Sequence, residues 1–270
     1  MSQASRLART GWVVPLLALA TSVCAQTNAE ELAKKLANPV AALISVPVQL
    51  NYDRDIGAAR GGDRWTLNLQ PVVPIDLAPD WNLISRTIVP AISQRDVFEG
   101  AGSQSGVGDI VQSLFVSPKR PTEGGWIWGA GPVFLLPTGS DDLLSGEKWG
   151  VGPTGVALKQ DGPWTYGLLA NHIWSFAGSS DRADISTTFL QPFLTYTTPD
   201  AWSFTAQTES TYDWKGEQWT VPLNAVVAKV TKVGDQLVSL AGGVRYWADG
   251  PESAPHGWGF RLAITLLFPK

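Results

Sequence analysis

Trp258-Gly-Phe-Arg-Leu-Ala-Ile-Thr-Leu-Leu-Phe268 stands almost at the end of the sequence. Read with the two-residue period of a strand, it sets Trp258, Phe260, Leu262, Ile264, Leu266 and Phe268 on one face. Gly259, Arg261, Ala263 and Thr265 fall on the other. One face is apolar and aromatic, the other small or polar. At the C-terminus of an exported chain, that division marks the closing strand of a transmembrane antiparallel β-barrel, apolar toward lipid and polar toward the lumen.

Export is indicated at the other end. Arg6 and Arg9 precede an apolar run from Trp12 to Ala20, and Val23 and Ala25 stand three residues and one residue before a cut after Ala25. This is the layout of a cleaved signal peptide over residues 1–25. The run is too short to span a bilayer as a helix. Cys24 raises a lipoprotein alternative, but Val23 is bulky where a small residue is wanted. Cleavage after Ala25 removes the single cysteine, which excludes disulfide and cysteine-metal chemistry from the mature chain. It also removes two arginines, leaving 18 basic against 24 acidic residues and a net charge of −6. Nucleic acid is a poor partner for such a chain.

Hydrophobic residues make up 44% of the sequence, yet the mean hydropathy is only +0.01. Apolar residues are therefore interleaved with polar ones rather than pooled, as alternating barrel strands require. The punctuation supplies the topology. Long polar segments occur at 53–63, 94–105, 138–148, 177–184, 213–218 and 248–256, and compact ones at 78–80, 119–125, 160–163, 198–201 and 233–236. Long and short alternate throughout. Eleven such connections predict an all-β, up-and-down barrel of about twelve strands over 41–270, with short periplasmic turns and long extracellular loops.

Several strands can be assigned faces. Over 202–213, Trp202, Phe204, Ala206, Thr208, Ser210 and Tyr212 oppose Ser203, Thr205, Gln207, Glu209, Thr211 and Asp213. Over 44–53, Ile44, Val46, Val48, Leu50 and Tyr52 oppose Ser45, Gln49, Asn51 and Asp53. Asn68, Gln70, Ser239 and Arg245 read as inner, Leu67, Leu69, Val238, Leu240 and Val244 as outer. In 107–117, 126–136, 149–158 and 164–176, Gly and Ala suit either face, so alternation decides nothing there.

Aromatic residues cluster at predicted strand ends, the levels where an indole or phenol satisfies both its apolar body and its polar tip. Trp81, Trp126, Trp164, Trp202, Tyr196 and Phe268 lie by the short turns. Tyr52, Trp65, Trp149, Trp174, Tyr212, Trp219, Tyr246, Trp247 and Trp258 lie by the long loops. Proline argues against the scheme. Pro47, Pro71, Pro74, Pro132, Pro153, Pro192 and Pro222 fall inside predicted strands, and bulges or strand ends are needed to absorb their missing N–H groups.

Ahead of the first strand, within 26–40, Ala29-Glu-Glu-Leu-Ala-Lys-Lys-Leu-Ala37 places Leu32 and Leu36 on one helical face, with acids early and lysines late. Asn38-Pro39 ends it. The expectation is a short helix that caps the periplasmic mouth or plugs the lumen.

Glu31-Leu-Ala-Lys-Lys-Leu-Ala-Asn-Pro-Val40, Leu43-Ile-Ser-Val-Pro-Val48, Gly106-Val-Gly-Asp-Ile110, Trp219-Thr-Val-Pro-Leu-Asn224, Gly243-Val-Arg-Tyr246 and Leu267-Phe-Pro-Lys270 together resemble a group of bacterial outer-membrane "transporter" proteins, often mislabelled neuromedin U. That group is similar to the outer-membrane proteins of the phenol-degradation meta-pathway family. The resemblance implies a Gram-negative outer-membrane barrel, porin-like, that transports small aromatic or hydrophobic solutes, and it supplies no catalytic residues. Pro269 and Lys270 depart from the common ending at Phe.

Residue chemistry agrees with a non-enzyme that carries no cofactor. His172 has Asn171 and Ser175 nearby, as a lipid-modifying enzyme would want, but these alternate faces of one strand. His256 lies in a loop, and two scattered histidines without cysteine make a poor metal site. Arg86, Asp109, Glu209, Arg245 and Arg261 are the candidate inward charges, and Trp81, Trp126, Trp164, Trp202, Trp219 and Trp258 the candidate interface anchors. The expected partners are outer-membrane lipid, a small-molecule solute and the outer-membrane assembly machinery. The alternative is a structural barrel whose inward charges form a sealed salt-bridge network.

Overall fold

The computed structural model describes residues 29–269. The signal segment expected over 1–25, its cleavage site, residues 26–28 and Lys270 lie outside the described residues.

The strands are β1 (Ile44–Ile56), β2 (Gly62–Leu69), β3 (Val72–Ala78), β4 (Trp81–Arg95), β5 (Ser103–Val107), β6 (Ile110–Pro118), β7 (Trp126–Leu136) and β8 (Lys148–Asp161). They continue as β9 (Trp164–Gly178), β10 (Ser186–Thr197), β11 (Trp202–Thr208), β12 (Ser210–Asp213), β13 (Gln218–Val233), β14 (Gln236–Asp249) and β15 (Gly257–Phe268). β2 and β3, β5 and β6, and β11 and β12 are each one stave interrupted for one or two residues, so the sheet is a barrel of twelve antiparallel staves. It closes where Ile44 of β1 pairs Phe268 of β15, in a register that runs to Tyr52 opposite Phe260. Each stave pairs its sequence neighbours, long connections gather at one rim and short turns at the other, as the punctuation predicts.

Direct cross-strand pairs share a face, so the registers fix what points inward. Arg261 faces Asn51 and Gly243, and Arg245 faces Asn224 and Gly259. The face assignments made from alternation hold, including those of the closing strand, where Trp258 is 57% exposed and Arg261 4%. The registers also settle the glycine-rich staves: Gly129, Gly131, Gly150, Gly152 and Gly167 all face inward.

The prolines are accommodated in two ways. Pro71 lies in the gap between β2 and β3, and Pro222 at a register shift opposite Glu209. The expectation that bulges or strand ends absorb them all is corrected for Pro47, Pro74, Pro132, Pro153 and Pro192, which lie within strands. Pro132 and Pro153 sit opposite each other, and the ladder gaps fall on their outer neighbours, between Ser113/Val133 and Val116/Ala130 and between Val151/Trp174 and Thr154/Asn171. The residue before each is glycine for a steric reason. A Cβ on Gly131 would lie 2.0 Å from the Leu114 carbonyl oxygen, and one on Gly152 1.7 Å from that of His172.

Tryptophans ring both rims on the outside. Trp81 packs edge-on to Trp128, Trp164 to Tyr196, and Tyr246 meets Trp258, with centroids 6.0, 4.9 and 5.0 Å apart. Trp81, Trp126, Trp164, Trp202, Trp219 and Trp258 are all exposed on this surface. Trp247 is the exception. It shares the inward parity of Arg245, and its indole N–H donates to Asp53 at 2.9 Å.

The expected helix covers 29–36, with Glu30 and Lys34 paired at 2.7 Å one turn apart. It lies in the short-turn end of the lumen. Leu32 and Ala33 are buried against Leu43, Ala201, Val230 and Leu267, while the following Val40 packs against Ile84, Phe115, Val156, Leu158 and Leu169. The segment therefore bridges the barrel from one wall to the other. Gly129 helps make room: a Cβ there would approach Val40 at 3.1 Å. Gln160 fastens it further, its amide N–H donating to the Lys34 carbonyl at 2.8 Å.

Candidate functional site: the barrel lumen

The lumen divides along its length. The short-turn half is an apolar core built around the N-terminal segment. The long-loop half holds charged and amide side chains that share hydrogen bonds across the barrel.

Glu209 is the centre of this network. It stands at the break between β11 and β12, opposite Pro222, and takes both oxygens' worth of hydrogen bonds from Arg261, at 2.8 and 2.7 Å. Arg245 approaches it at 4.0 Å and donates to Asp53 at 3.1 Å. Arg261 also donates through Nε to Asn51 at 2.8 Å, and Arg245 lies over the Trp247 ring at 4.8 Å. Among the described residues, Arg245 Nε and Asn224 Oδ1 are buried without a hydrogen-bond partner. A paired, hydrogen-bonded cluster of this kind offsets the cost of withdrawing its charges from water, and it fixes each guanidinium in place.

Arg64 and Arg86 are bound differently. Arg64 donates to the side-chain Oε1 of Gln94 at 2.9 Å and Arg86 to the side-chain Oε1 of Gln70 at 3.2 Å, with no carboxylate salt bridge to either among the described residues.

Three chambers lie in succession along this interior. Toward the long loops, about 230 Å³ is lined by Asp53, Arg64, Glu209, Arg245 and Arg261 among others. A central chamber of about 510 Å³ shares Gln49, Asn68 and Glu209 with it. A third, of about 290 Å³ beside Lys35, Leu36 and Pro39 of the N-terminal segment, shares Gln70, Arg86 and Gln191 with the central one. The charged lining comprises Lys35, Arg64, Arg86, Arg245 and Arg261 against Asp53 and Glu209. In an overall acidic chain the described linings of these three chambers thus carry five positive and two negative charges, and low-dielectric walls focus that excess within them.

Four of the inward charges named from sequence, Arg86, Glu209, Arg245 and Arg261, come together here. Asp109 does not. It stands at the one-residue bulge between β5 and β6, and its carboxylate accepts hydrogen bonds from the Gly139 N–H at 3.0 Å, the Ser145 hydroxyl at 2.7 Å and the Gly146 N–H at 2.7 Å. Asp109 therefore anchors the long connection 137–147 rather than lining a chamber. That connection turns inward, with Leu144 against the inner wall at Gly106 and Gly108, and narrows the long-loop mouth. Alternation missed Asp53, Arg64 and Trp247 as members of the network. Asp53 and Asn51 were on the inner face of their strand, but only the β1–β2 register, Asp53 opposite Arg64, links them to it.

His172 points out of the barrel. One ring nitrogen meets Thr188 Oγ1 at 2.7 Å, the other lies 3.4 Å from Ser186 Oγ, and the ring stacks near Trp174 at 4.1 Å. It is a member of the outer wall, with no part in the lumen.

The architecture is that of an outer-membrane-type β-barrel with an occupied lumen. In comparison with solved structures, the chain is similar to an outer-membrane channel from Pseudomonas putida F1, with a TM-score of 0.66 at 16% identity over 84% of this chain and 96% of that one. It is also similar to outer membrane phospholipase A from Escherichia coli, with a TM-score of 0.51 at 12% identity over 83% and 90%. These likenesses establish the fold. No protein-family model and no curated protein sequence matches the chain.

Proposed function

We propose that this protein is an outer-membrane channel for small solutes, exported by a signal peptide cut after Ala25, inserted by the outer-membrane assembly machinery, and closed at its periplasmic end by the helix 29–36. The observation that carries the reading is the succession of three chambers with a net positive lining inside a barrel whose outer wall is banded by tryptophan. The fold shared with a Pseudomonas outer-membrane channel supports it. So does the sequence resemblance to outer-membrane transporters, which also points to aromatic or hydrophobic solutes. Asp109 is the one candidate selectivity residue left out, since its carboxylate is committed to the 139–146 backbone. No catalytic role is assigned to any residue.

The test is electrical. In planar bilayers the purified mature chain conducts weakly or intermittently, a variant lacking residues 27–38 conducts steadily, and both pass anions in preference to cations. A barrel that stays silent without its helix, and shows no solute flux in liposomes, overturns the reading in favour of a structural barrel. Orientation is checked on intact cells: Ser180→Cys in a long loop reacts with an impermeant maleimide, and Asp200→Cys in a short turn does not.

A further inference from the structure

Arg86 differs from Arg245 and Arg261, which are both paired with carboxylates, and unlike Arg64 it lines the central chamber. Glu209 is engaged on both oxygens by Arg261 and faces Arg245, and Asp53 is engaged by Arg245 and Trp247. The Arg86 guanidinium makes one hydrogen bond among the described residues, to the Gln70 side chain. A guanidinium carries five N–H donors in a planar fork that matches a carboxylate edge-on. Arg86 lines both the central chamber and the chamber beside the N-terminal segment.

Six apolar side chains line the same chamber: Ile88 and Val111 beside Arg86, and Leu135, Ile173, Ile185 and Phe189. Asn68 and Asn171 bring side-chain amides into the same space, without side-chain partners among the described residues. Its volume of about 510 Å³ lies within the ordinary range for small-molecule sites and exceeds that of the chambers on either side. A hydrated inorganic anion would leave the apolar wall unused, and a neutral hydrocarbon would leave the cation uncompensated. A ligand that is a carboxylate at one end and apolar through its body satisfies both.

We infer that the central chamber is a binding site for monocarboxylates with an apolar body, in which Arg86 takes the carboxylate and the Ile173–Phe189 side takes the body. The inference rests on the channel reading for its physiological meaning, since it makes such an acid the solute that pauses on its way through, but the site itself is a property of the folded barrel. Arg86 touches the ligand and sets its charge class. The apolar wall sets its shape.

Three probes of matched or reduced chemistry decide the matter: benzoate, benzyl alcohol as its uncharged counterpart, and acetate as its charge without the body. Isothermal titration of the refolded mature barrel in detergent micelles should detect benzoate binding at least tenfold tighter than either of the others. Arg86→Gln should reduce benzoate affinity at least tenfold. Arg86→Lys, which keeps the charge and loses the fork, should fall between, with the heat-modifiable gel shift unchanged in both. Ile173→Asn should weaken benzoate while leaving acetate as it was. Equal binding of benzoate and benzyl alcohol, equal binding of benzoate and acetate, or indifference to Arg86→Gln in a folded barrel each overturns the inference. The first two are read on the native chain and stand even where a variant does not fold. Arg86-dependent binding in a barrel that never conducts would keep the site and remove the channel. Conductance without such binding would do the reverse.

Discussion

Arg261 and Glu209 face each other across the barrel interior through two parallel hydrogen bonds of 2.8 and 2.7 Å, joining β15 to the break between β11 and β12. Their partners lie far apart in sequence, so the pair works as a crosslink through the lumen. Removing one member leaves the other in a site built for two charges. Glu209→Gln should lower the stability of the folded barrel by about 3 kcal/mol or more, read as the urea midpoint of unfolding from lipid vesicles. It also removes one of the two negative charges of the lining, so anion preference in planar bilayers should rise. Arg245→Ala should lower stability too, because Asp53 loses its cation, but should move selectivity toward cations. The two variants agree in one measurement and oppose each other in the other, a pattern that general misfolding would not give.

The extent to which this could be read beforehand depends on side-chain size. Where large apolar and polar residues alternate, as in 202–213 and 258–268, the sequence names both faces and the registers agree. Where glycine dominates, in β7 to β9, alternation is silent because hydrogen is small enough for either face, and the choice follows from contacts distant in sequence: Gly129 stands beside Val40, Gly131 and Gly152 beside the carbonyl oxygens of Leu114 and His172. Arg86, Glu209, Arg245 and Arg261 were legible as inward charges because lipid excludes them. Asp109 stands apart from that cluster, because a bulge interrupts the alternation after Val107 and its carboxylate is committed to the 137–147 connection. Which charges pair was not legible at all, because the pairs join staves that are not adjacent and lie more than 50 residues apart in the chain, as in Arg261 with Glu209 and Arg245 with Asp53.

Leu32 is 3% exposed, and with Ala33 it seats the helix on Leu43, Ala201, Val230 and Leu267. Leu32→Asp introduces a charge with no partner at that seat, a cost that exceeds what one short helix gains by packing. The helix should leave the lumen while the barrel stays closed. The expected result is steady conductance like that of the 27–38 deletion, an unaltered gel shift, and protease cleavage within 29–41 that the native chain resists. Unchanged conductance with a released helix would show that the 137–147 connection is the controlling constriction instead.

Two ion pairs couple the long connections at the outer rim: Lys148 with Asp184 at 3.1 Å and Arg182 with Glu147 at 2.7 Å, Arg182 also donating to the Asp142 carbonyl. The Asp184 carboxyl is held below its ordinary value of 3.8, first by the hydrogen bond from Lys148, then by its charge and by Ser175. The hydrogen bond from Arg182 does the same for Glu147, ordinarily 4.5. For a depressed carboxyl the coupling is complete above the ordinary value and is lost as the pH falls through the depressed one. Spin labels at Leu143→Cys and Ser180→Cys should therefore report one narrow distance at pH 7 and a broadened distribution only once the pH has fallen below the ordinary values of both carboxyls. Lys148→Gln should broaden it already at pH 7. High salt should weaken the pairs in the same direction, and the part-exposed Arg182–Glu147 pair more than the one that holds the buried Lys148.

Gly152 and Pro153 test whether the wall tolerates its missing ladder bonds only because glycine is present. A methyl group on Gly152 would lie 1.7 Å from the His172 carbonyl oxygen, inside any allowed contact, so β9 must move away from β8 in Gly152→Ala. That movement strains a stretch where the pairing between Val151/Trp174 and Thr154/Asn171 is already interrupted, and the loss should be about 1–3 kcal/mol, the range for overpacking a tightly closed site. Pro153→Ala restores an N–H donor to the same stretch and should raise stability, or leave it unchanged where the strand cannot straighten. The informative measurement is the double variant. If the close approach at Gly152 exists because the missing donor lets the His172 carbonyl tip inward, then Pro153→Ala should relieve part of the Gly152→Ala loss, giving a coupling of about 0.5 kcal/mol or more in urea unfolding. Strict additivity would show that the approach is set by the barrel's curvature and that Gly152 would be required there with or without the proline.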